Sequence, residues 1–345
     1  MSRESLRSGS WTPQSLRSSW CRSWTNDELV ELDQALATFR RASPALDLTS
    51  MTERNFPLPS IGPELVRLRD RLVDGDGLAA YEGFPVERYE VDELRALWWG
   101  VSQAVGLPVS QSWRGDVIGD VRDLGTGIAG RAGRGYTSNS ELNFHADACD
   151  VSGLFFLKTA REGGETRLAS SVTTHDVISE RAPELLTELY RPLPWSWQGN
   201  EKPGDRAWYE MPVFGRVGDQ VSCAYVRTNI LLAHENAGAP RLSETQREAV
   251  QLVADVAAEE GMWLERRFGP GAMLWVHNHT VLHLRTAFVD WDDPARKRHL
   301  LRSWVCPPNG RELPVSFGAF FADVSAGAVR GGYHSRADGP VFLTT

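Results

Sequence analysis

The feature that most constrains this chain is the run of short β-type segments after residue 140, since many short strands separated by turn signals point to a sandwich, jelly roll or barrel. The segments are Leu142 to His145, Gly153 to Leu157, Thr166 to Ser170, Ala207 to Phe214, Gln220 to Val226, Trp263 to Phe268, Ala272 to Val276, Thr280 to His283 and His299 to Val305. Gly218-Asp219 predicts a hairpin turn, and the capping box Ser243-Glu244-Thr245-Gln246 starts an amphipathic helix running to Glu260. The expected fold is mainly β with helical cover (α+β), a jelly-roll barrel of the double-stranded β-helix kind.

Before these strands the periodicity is helical. Thr25 caps a helix with Leu29, Leu32, Leu36 and Phe39 on one face, ending near Ala42. Further helices are predicted over Pro63 to Val73 and Val91 to Val105, with a short strand Leu78 to Tyr81 after Gly75-Asp76-Gly77. With 345 residues, 41% of them hydrophobic, the chain can bury a substantial core. No repeat or linker divides it, so residues 25–345 read as one domain behind an N-terminal arm, 1–24. Within that domain we expect a helical part at 25–106, a glycine-rich loop at 119–140 and a helical insertion at 172–262. The loop is either solvated or a lid over a substrate site.

A formal net charge of -8 excludes a general affinity for nucleic acid or anionic membrane, both of which need a basic footprint. A small-molecule partner is expected instead, and a homo-oligomer stays compatible with the composition. The cysteines Cys21, Cys149, Cys223 and Cys306 are widely spaced, which suits reduced thiols in the cytoplasm. No segment has the apolar length of a membrane span, and the N-terminus lacks the apolar core of a secretory signal.

Chemistry enters with His145-Ala146-Asp147 and the distant His283. In an extended segment His145 and Asp147 face the same way, and two imidazoles with one carboxylate meet the needs of a facial triad for non-haem Fe(II). Such a site leaves positions open for a cosubstrate and O2. The same donors would also suit a zinc hydrolase or a non-catalytic metal-binding barrel. His277 and His279 would share the face of His283 in an unbroken strand; they read as hydrogen-bonded structural histidines or as cavity liners.

The wider segments carry more. Tyr136 to Asp147, Gly163-Gly164-Glu165-Thr166, Val281 to Phe288 and Arg296 to Trp304 together resemble the taurine dioxygenase and clavaminate synthase superfamily of Fe(II)- and 2-oxoglutarate-dependent oxygenases. The resemblance spans about residue 55 to 305. It implies that His145, Asp147 and His283 hold the iron and that Thr166 and Arg298 bind the distal carboxylate of 2-oxoglutarate, with Arg302 as a second arginine facing cosubstrate or substrate. It also implies oxygenation of an unactivated C–H bond, most simply hydroxylation, with release of succinate and CO2; desaturation, cyclisation or epoxidation would use the same ligands. Related halogenases replace the carboxylate, so Asp147 favours oxygen transfer. Arg298 and Thr166 have no evident hydrolytic use, which weighs against the zinc hydrolase, and a complete ligand set weighs against a non-catalytic barrel. At His277 and His279 the chain departs from the family, where Asn is common nearby.

For the substrate, Tyr136, Asn139 and Glu141 precede the metal motif closely enough to border a cavity, or they serve only as loop hydrogen bonders. Glu141 receiving an amine and Arg302 a carboxylate would suit an amino acid or an amino-acid-derived metabolite. Trp195, Trp197, Trp208 and Tyr209 read as core or lid packing, with contact to a bulky substrate as the alternative.

Overall fold

The computed structural model describes residues 8–125, 137–334 and the backbone of residues 341–342. Its main sheet runs β1 (Cys21–Ser23), β2 (Leu78–Glu82), β13 (Met273–His277), β5 (Val151–Lys158), β16 (His299–Cys306), β4 (Asp116–Val121), β17 (Val341–Phe342), with β3 (Leu107–Val109) also paired to β16. A smaller sheet runs β12 (Trp263–Arg266), β7 (Thr166–Ser170), β14 (Val281–Arg285). Three ribbons complete the set: β6 (Glu162–Gly163) with β15 (Phe288–Val289), β8 (Leu193–Ser196) with β9 (Trp208–Met211), and β10 (Phe214–Val217) with β11 (Gln220–Cys223).

Strand alternation sorts the side chains into layers. Phe155, Trp275, Leu301 and Val305 leave the main sheet on one face and pack against α1 (Asn26–Ala42), α2 (Ile61–Asp74) and α3 (Val91–Val105). Leu78, Phe156, Leu274 and Leu300 leave on the other face and meet Leu168 and Val281 of the smaller sheet. The two sheets are thus the opposed walls of a double-stranded β-helix. Behind the smaller sheet, Ala169, Leu282 and Leu284 are covered by α4 (Ser171–Arg181), α5 (Pro183–Leu189), α6 (Arg227–Leu231), α7 (Glu244–Ala257) and α8 (Gly318–Phe321), together with β8 to β11. Trp275 stacks on Trp98 at 4.7 Å and lies over Gly153, where an added Cβ would fall 2.3 Å from the indole. Only glycine leaves that strand flat enough for the ring.

Capping boxes at Thr25 and Ser243 start α1 and α7 where the sequence predicts them. Several expectations need correction. The 1–24 segment is no separate arm: Trp11 is buried, its indole donates to the Asp76 carbonyl, and β1 pairs in parallel with β2. The 119–140 loop begins inside a strand, since Gly119 to Val121 belong to β4 and pair with Leu300 to Arg302; residues 126–136 of that loop lie outside the described residues. Leu142 to His145 forms only an isolated bridge, His145 to His283. Ala207 to Phe214 splits into β9 and β10 around Pro212, which lacks the N–H a ladder needs. The stretch 172–262 holds β8 to β11 as well as helices.

Candidate active site

The same alternation explains how the site assembles. His283 and Arg285 share the inward face of β14 with Val281, Thr166 shares that of β7 with Leu168, and Arg302 and Trp304 share that of β16 with Leu300. Opposite β14, the chain carrying His145 docks through two main-chain hydrogen bonds, His145 N to His283 O at 3.0 Å and His283 N to His145 O at 2.8 Å. That bridge sets the two imidazoles 4.3 Å apart, ring centre to ring centre. His145, Asp147 and His283 each present a ligand atom, all within 4.8 Å of one another.

Local bonds aim these donors. The Nδ1–H of His145 donates to the Asn143 carbonyl at 2.9 Å, which leaves Nε2 as the free lone pair. Asp147 Oδ2 accepts from the Trp304 indole at 3.1 Å and Oδ1 from Arg302 at 3.4 Å, while its backbone N–H donates to Asn278 Oδ1 at 2.9 Å. Burial works to raise the Asp147 carboxyl pKa, yet Arg302, His283 and His145 outweigh it and hold it below its ordinary value. Burial lowers the pKa of His145, and burial with the neighbouring His145 pushes His283 down to about 3. An ionised carboxylate and two neutral imidazoles are the protonation states a divalent cation needs.

A second charged locus lies beside the triad. Arg298 is 4% exposed, its Nη1 has no hydrogen-bond partner among the described residues, and its guanidinium lies 5.1 Å from the centre of the Phe288 ring. Arg285 lies over the same ring at 4.7 Å. Burial, and then repulsion from Arg285, lowers the Arg298 pKa to about 9; Asp290 opposes the shift. Two buried guanidiniums side by side, neither with a salt bridge among the described residues, would suit an anion such as the far carboxylate of 2-oxoglutarate. The turn beside Arg298 is made by Gly163 and Gly164, both at positive φ, and a Cβ at Gly163 would collide with the Ala287 carbonyl.

The sequence expectations fare unevenly in space. The triad converges, and Thr166 and Arg298 flank Arg285 and Gly164. Arg302 does not join Arg298: a register irregularity between His299 and Leu300 interrupts the strand, and its guanidinium goes to Gln111 Oε1 at 2.7 Å and to Asp147. Asn139 and Glu141 are exposed, and neither lines the cavity beside Asp147; Tyr136 lies outside the described residues. His277 ends β13 and His279 lies in the turn after it, and both are buried. His277 bonds Thr280 Oγ1 at 3.0 Å, and His279 bonds Asp150 at 2.8 Å, where Arg330 also pairs at 2.9 Å. Both are held by hydrogen bonds, His279 also lines the cavity beside Asp147, and Asn278 between them bonds the Asp147 backbone.

Sequence reasoning missed Arg285, Trp304 and Asn278, although each lies within two residues of a position it singled out. It also missed the cavity wall. A small cavity of about 30 Å³ opens on Ala146 and Asp147 and is walled by Trp195, Tyr209, Tyr225, Phe320, Phe321 and Tyr333. Trp195 and Tyr209 are therefore both core and lining, while Trp197 stacks behind them on Tyr209 and Phe320.

Comparison with known proteins converges on one assignment. Residues 43–304 match the family described as taurine catabolism dioxygenase TauD, TfdA. The chain is 31% identical to FR-33289 synthase of Streptomyces rubellomurinus, over 88% of this chain and 93% of that protein. It is 27% identical to the taurine hydroxylase-like protein SAT17 of Stachybotrys chartarum, over 81% and 76% of the two chains. In fold it is similar to an asparagine oxygenase solved with Fe(II), 3-hydroxyasparagine and succinate, with a TM-score of 0.64 at 15% identity over 83% and 93% of the chains. The non-haem iron oxygenase OrfP, solved with Fe and 2-oxoglutarate, gives 0.59 at 15% identity over the same shares, 83% and 93%. The chain belongs to the TauD/TfdA family and is an Fe(II)- and 2-oxoglutarate-dependent dioxygenase.

Proposed function

We propose that this dioxygenase hydroxylates an unactivated C–H bond of a small molecule, an amino acid or an amino-acid-derived metabolite. The observation that carries the reading is the pairing of a converged His145, Asp147, His283 triad with the buried Arg298, whose Nη1 has no hydrogen-bond partner among the described residues. In this reading the triad holds Fe(II), and Arg298 with Thr166 and Arg285 holds the distal carboxylate of 2-oxoglutarate. Bound iron and cosubstrate supply O2 activation coupled to oxidative decarboxylation, with succinate and CO2 as co-products. The chain's own part is positioning. Trp304 and Arg302 fix the Asp147 carboxylate, the backbone bridge fixes both imidazoles, and aromatic residues line the face of Asp147 where a substrate would lie. The amino-acid class draws support from the asparagine oxygenase and from OrfP, which was solved with (3S)-hydroxy-L-Arg. Four free cysteines suit a cytoplasmic setting, and no helix among the described residues is long and apolar enough to cross a membrane.

The test is a succinate-release screen against free amino acids and their amide and acyl derivatives, with His145→Ala as the blank. Product mass separates hydroxylation, a gain of one oxygen, from desaturation or ring closure, a loss of two hydrogens. Anaerobic Fe(II) with 2-oxoglutarate should give a weak visible charge-transfer band, and its absence from the wild type would sink the reading.

A further inference from the structure

The cavity on the open side of Asp147 carries information about what it accepts. Apart from Asp147 itself, its described lining holds no charged side chain: His279 is kept neutral by burial, and the remaining lining is aromatic, aliphatic, thiol or amide. A free amino acid would need an anionic and a cationic partner there, since an unpaired charge is costly to strip of water. Arg302, which reaches Asp147, already bonds both Gln111 and Asp147.

One lining group is polar and unsatisfied. Asn229, on α6, is 7% exposed, and its Oδ1 is buried with no hydrogen-bond partner. Its carboxamide donates no bond among the described residues either, whereas the neighbouring Tyr225 hydroxyl is occupied by the Val250 carbonyl at 2.8 Å. Buried polar groups in folded proteins are nearly always paired, so an unpaired carboxamide on a residue that lines the cavity is a contact that a ligand could complete. A primary carboxamide offers one acceptor and a donor side by side. Its complement is a group presenting an N–H and a C=O in the same way, a carboxamide or an N-acyl amide.

We propose that Asn229 reads an amide on the substrate, so that the enzyme takes a neutralised amino-acid derivative, amidated or N-acylated, with an apolar or aromatic body against Trp195, Tyr209 and Phe320. The inference rests on the functional reading above for its chemistry but not for its binding step. Replacement of Asn229 by Leu removes both halves of the contact; Asn229→Asp keeps the shape while turning the donor into an acceptor.

The experiment titrates N-acetyl-L-leucinamide, N-acetyl-L-phenylalaninamide and the free amino acids L-leucine and L-phenylalanine into full-length protein, read by the emission of Trp195 and its neighbours. The visible band of the anaerobic Fe(II) and 2-oxoglutarate complex is recorded in parallel. We expect the amides to bind the wild type on the order of tenfold tighter than the free amino acids, and both variants to lose that preference while keeping the band. Equal or tighter binding of the free amino acids, or amide affinity unchanged in both variants, overturns the proposal and leaves the oxygenase reading standing. Amide preference without any band in the wild type would do the reverse.

Discussion

At the scale of single residues, the site is built from charges held in place before any ligand arrives. Arg298 is the sharpest case, a buried guanidinium with an unbonded Nη1 whose pKa burial has brought down to about 9. Arg298→Met keeps roughly the same volume and removes an uncompensated charge, so the variant's melting temperature without 2-oxoglutarate should equal or exceed that of the wild type. Its affinity for 2-oxoglutarate should fall by about 10- to 150-fold, the worth of a hydrogen-bonded charge pair of about 1.5–3 kcal/mol. Thermal melts with and without the cosubstrate check both halves; a clear loss of ligand-free stability would show Arg298 to be a structural residue instead. His145, Asp147 and His283 were suggested by residue type and spacing, and the structure brings them together; Thr166 and Arg298 were suggested only by the resemblance to the family. Ideal strand alternation puts Arg302 on the face of Arg298, and the irregularity at His299 and Leu300, beyond which Arg302 bonds Gln111 and Asp147, is invisible to periodicity. Asn229 left no sequence signal at all, since a lone Asn acquires meaning only when packing leaves its amide unpaired.

At the scale of elements, the helices α1, α2, α3 and α7 were legible, while α4, α5, α6 and α8 and several strand limits were not. Capping boxes at Thr25 and Ser243 act locally, so their helices start where the residues say. Strand pairing is decided by partners far away: Gly119 to Val121 look like loop but are drafted into β4 by β16. One polar cluster ties that pair. Asp120 of β4 bonds Arg95 of α3 at 2.6 Å and the His299 ring at the start of β16. Burial alone would raise the Asp120 carboxyl, but His299 and Arg95 outweigh it and bring it down to about 2 from 3.8. A folded-state pKa below the unfolded one contributes stability above about pH 4 that is lost as the pH falls toward 2. Asp120→Asn should therefore cost on the order of 3 kcal/mol at neutral pH, because Arg95 is left buried without its carboxylate. Urea titrations stepped from pH 7 to 3 should show the two proteins converging as the acid end is approached; a constant gap would refute the assignment.

At the scale of the whole molecule, the two sheets and their helical cover leave the two ends of the chain in unexpected positions. The first two dozen residues read as polar and aperiodic, so they looked like an arm; what the sequence could not show is that Trp11 finds a pocket beside Asp76 and that Gly9 bonds Gly75 and Ser170. Removing residues 1–24 should lower stability by at least the 3–5 kcal/mol typical of emptying a buried Trp site, measured by urea unfolding against the full chain. An unchanged midpoint would return the segment to the status of an arm. The segment also occupies a particular place in the sheet order. β1, three residues from the N-terminal part, is one outermost strand of the main sheet, and β17, two residues from the C-terminal part, is the other. Both lie parallel to the strand they cover, and both are too short to template another strand well. The chain thus blunts each open rim of its largest sheet with a piece of its own ends. Trimming either end would bare β2 or β4 to strands of other molecules, and sheet-mediated aggregation would then limit the shelf life of such a protein before heat did.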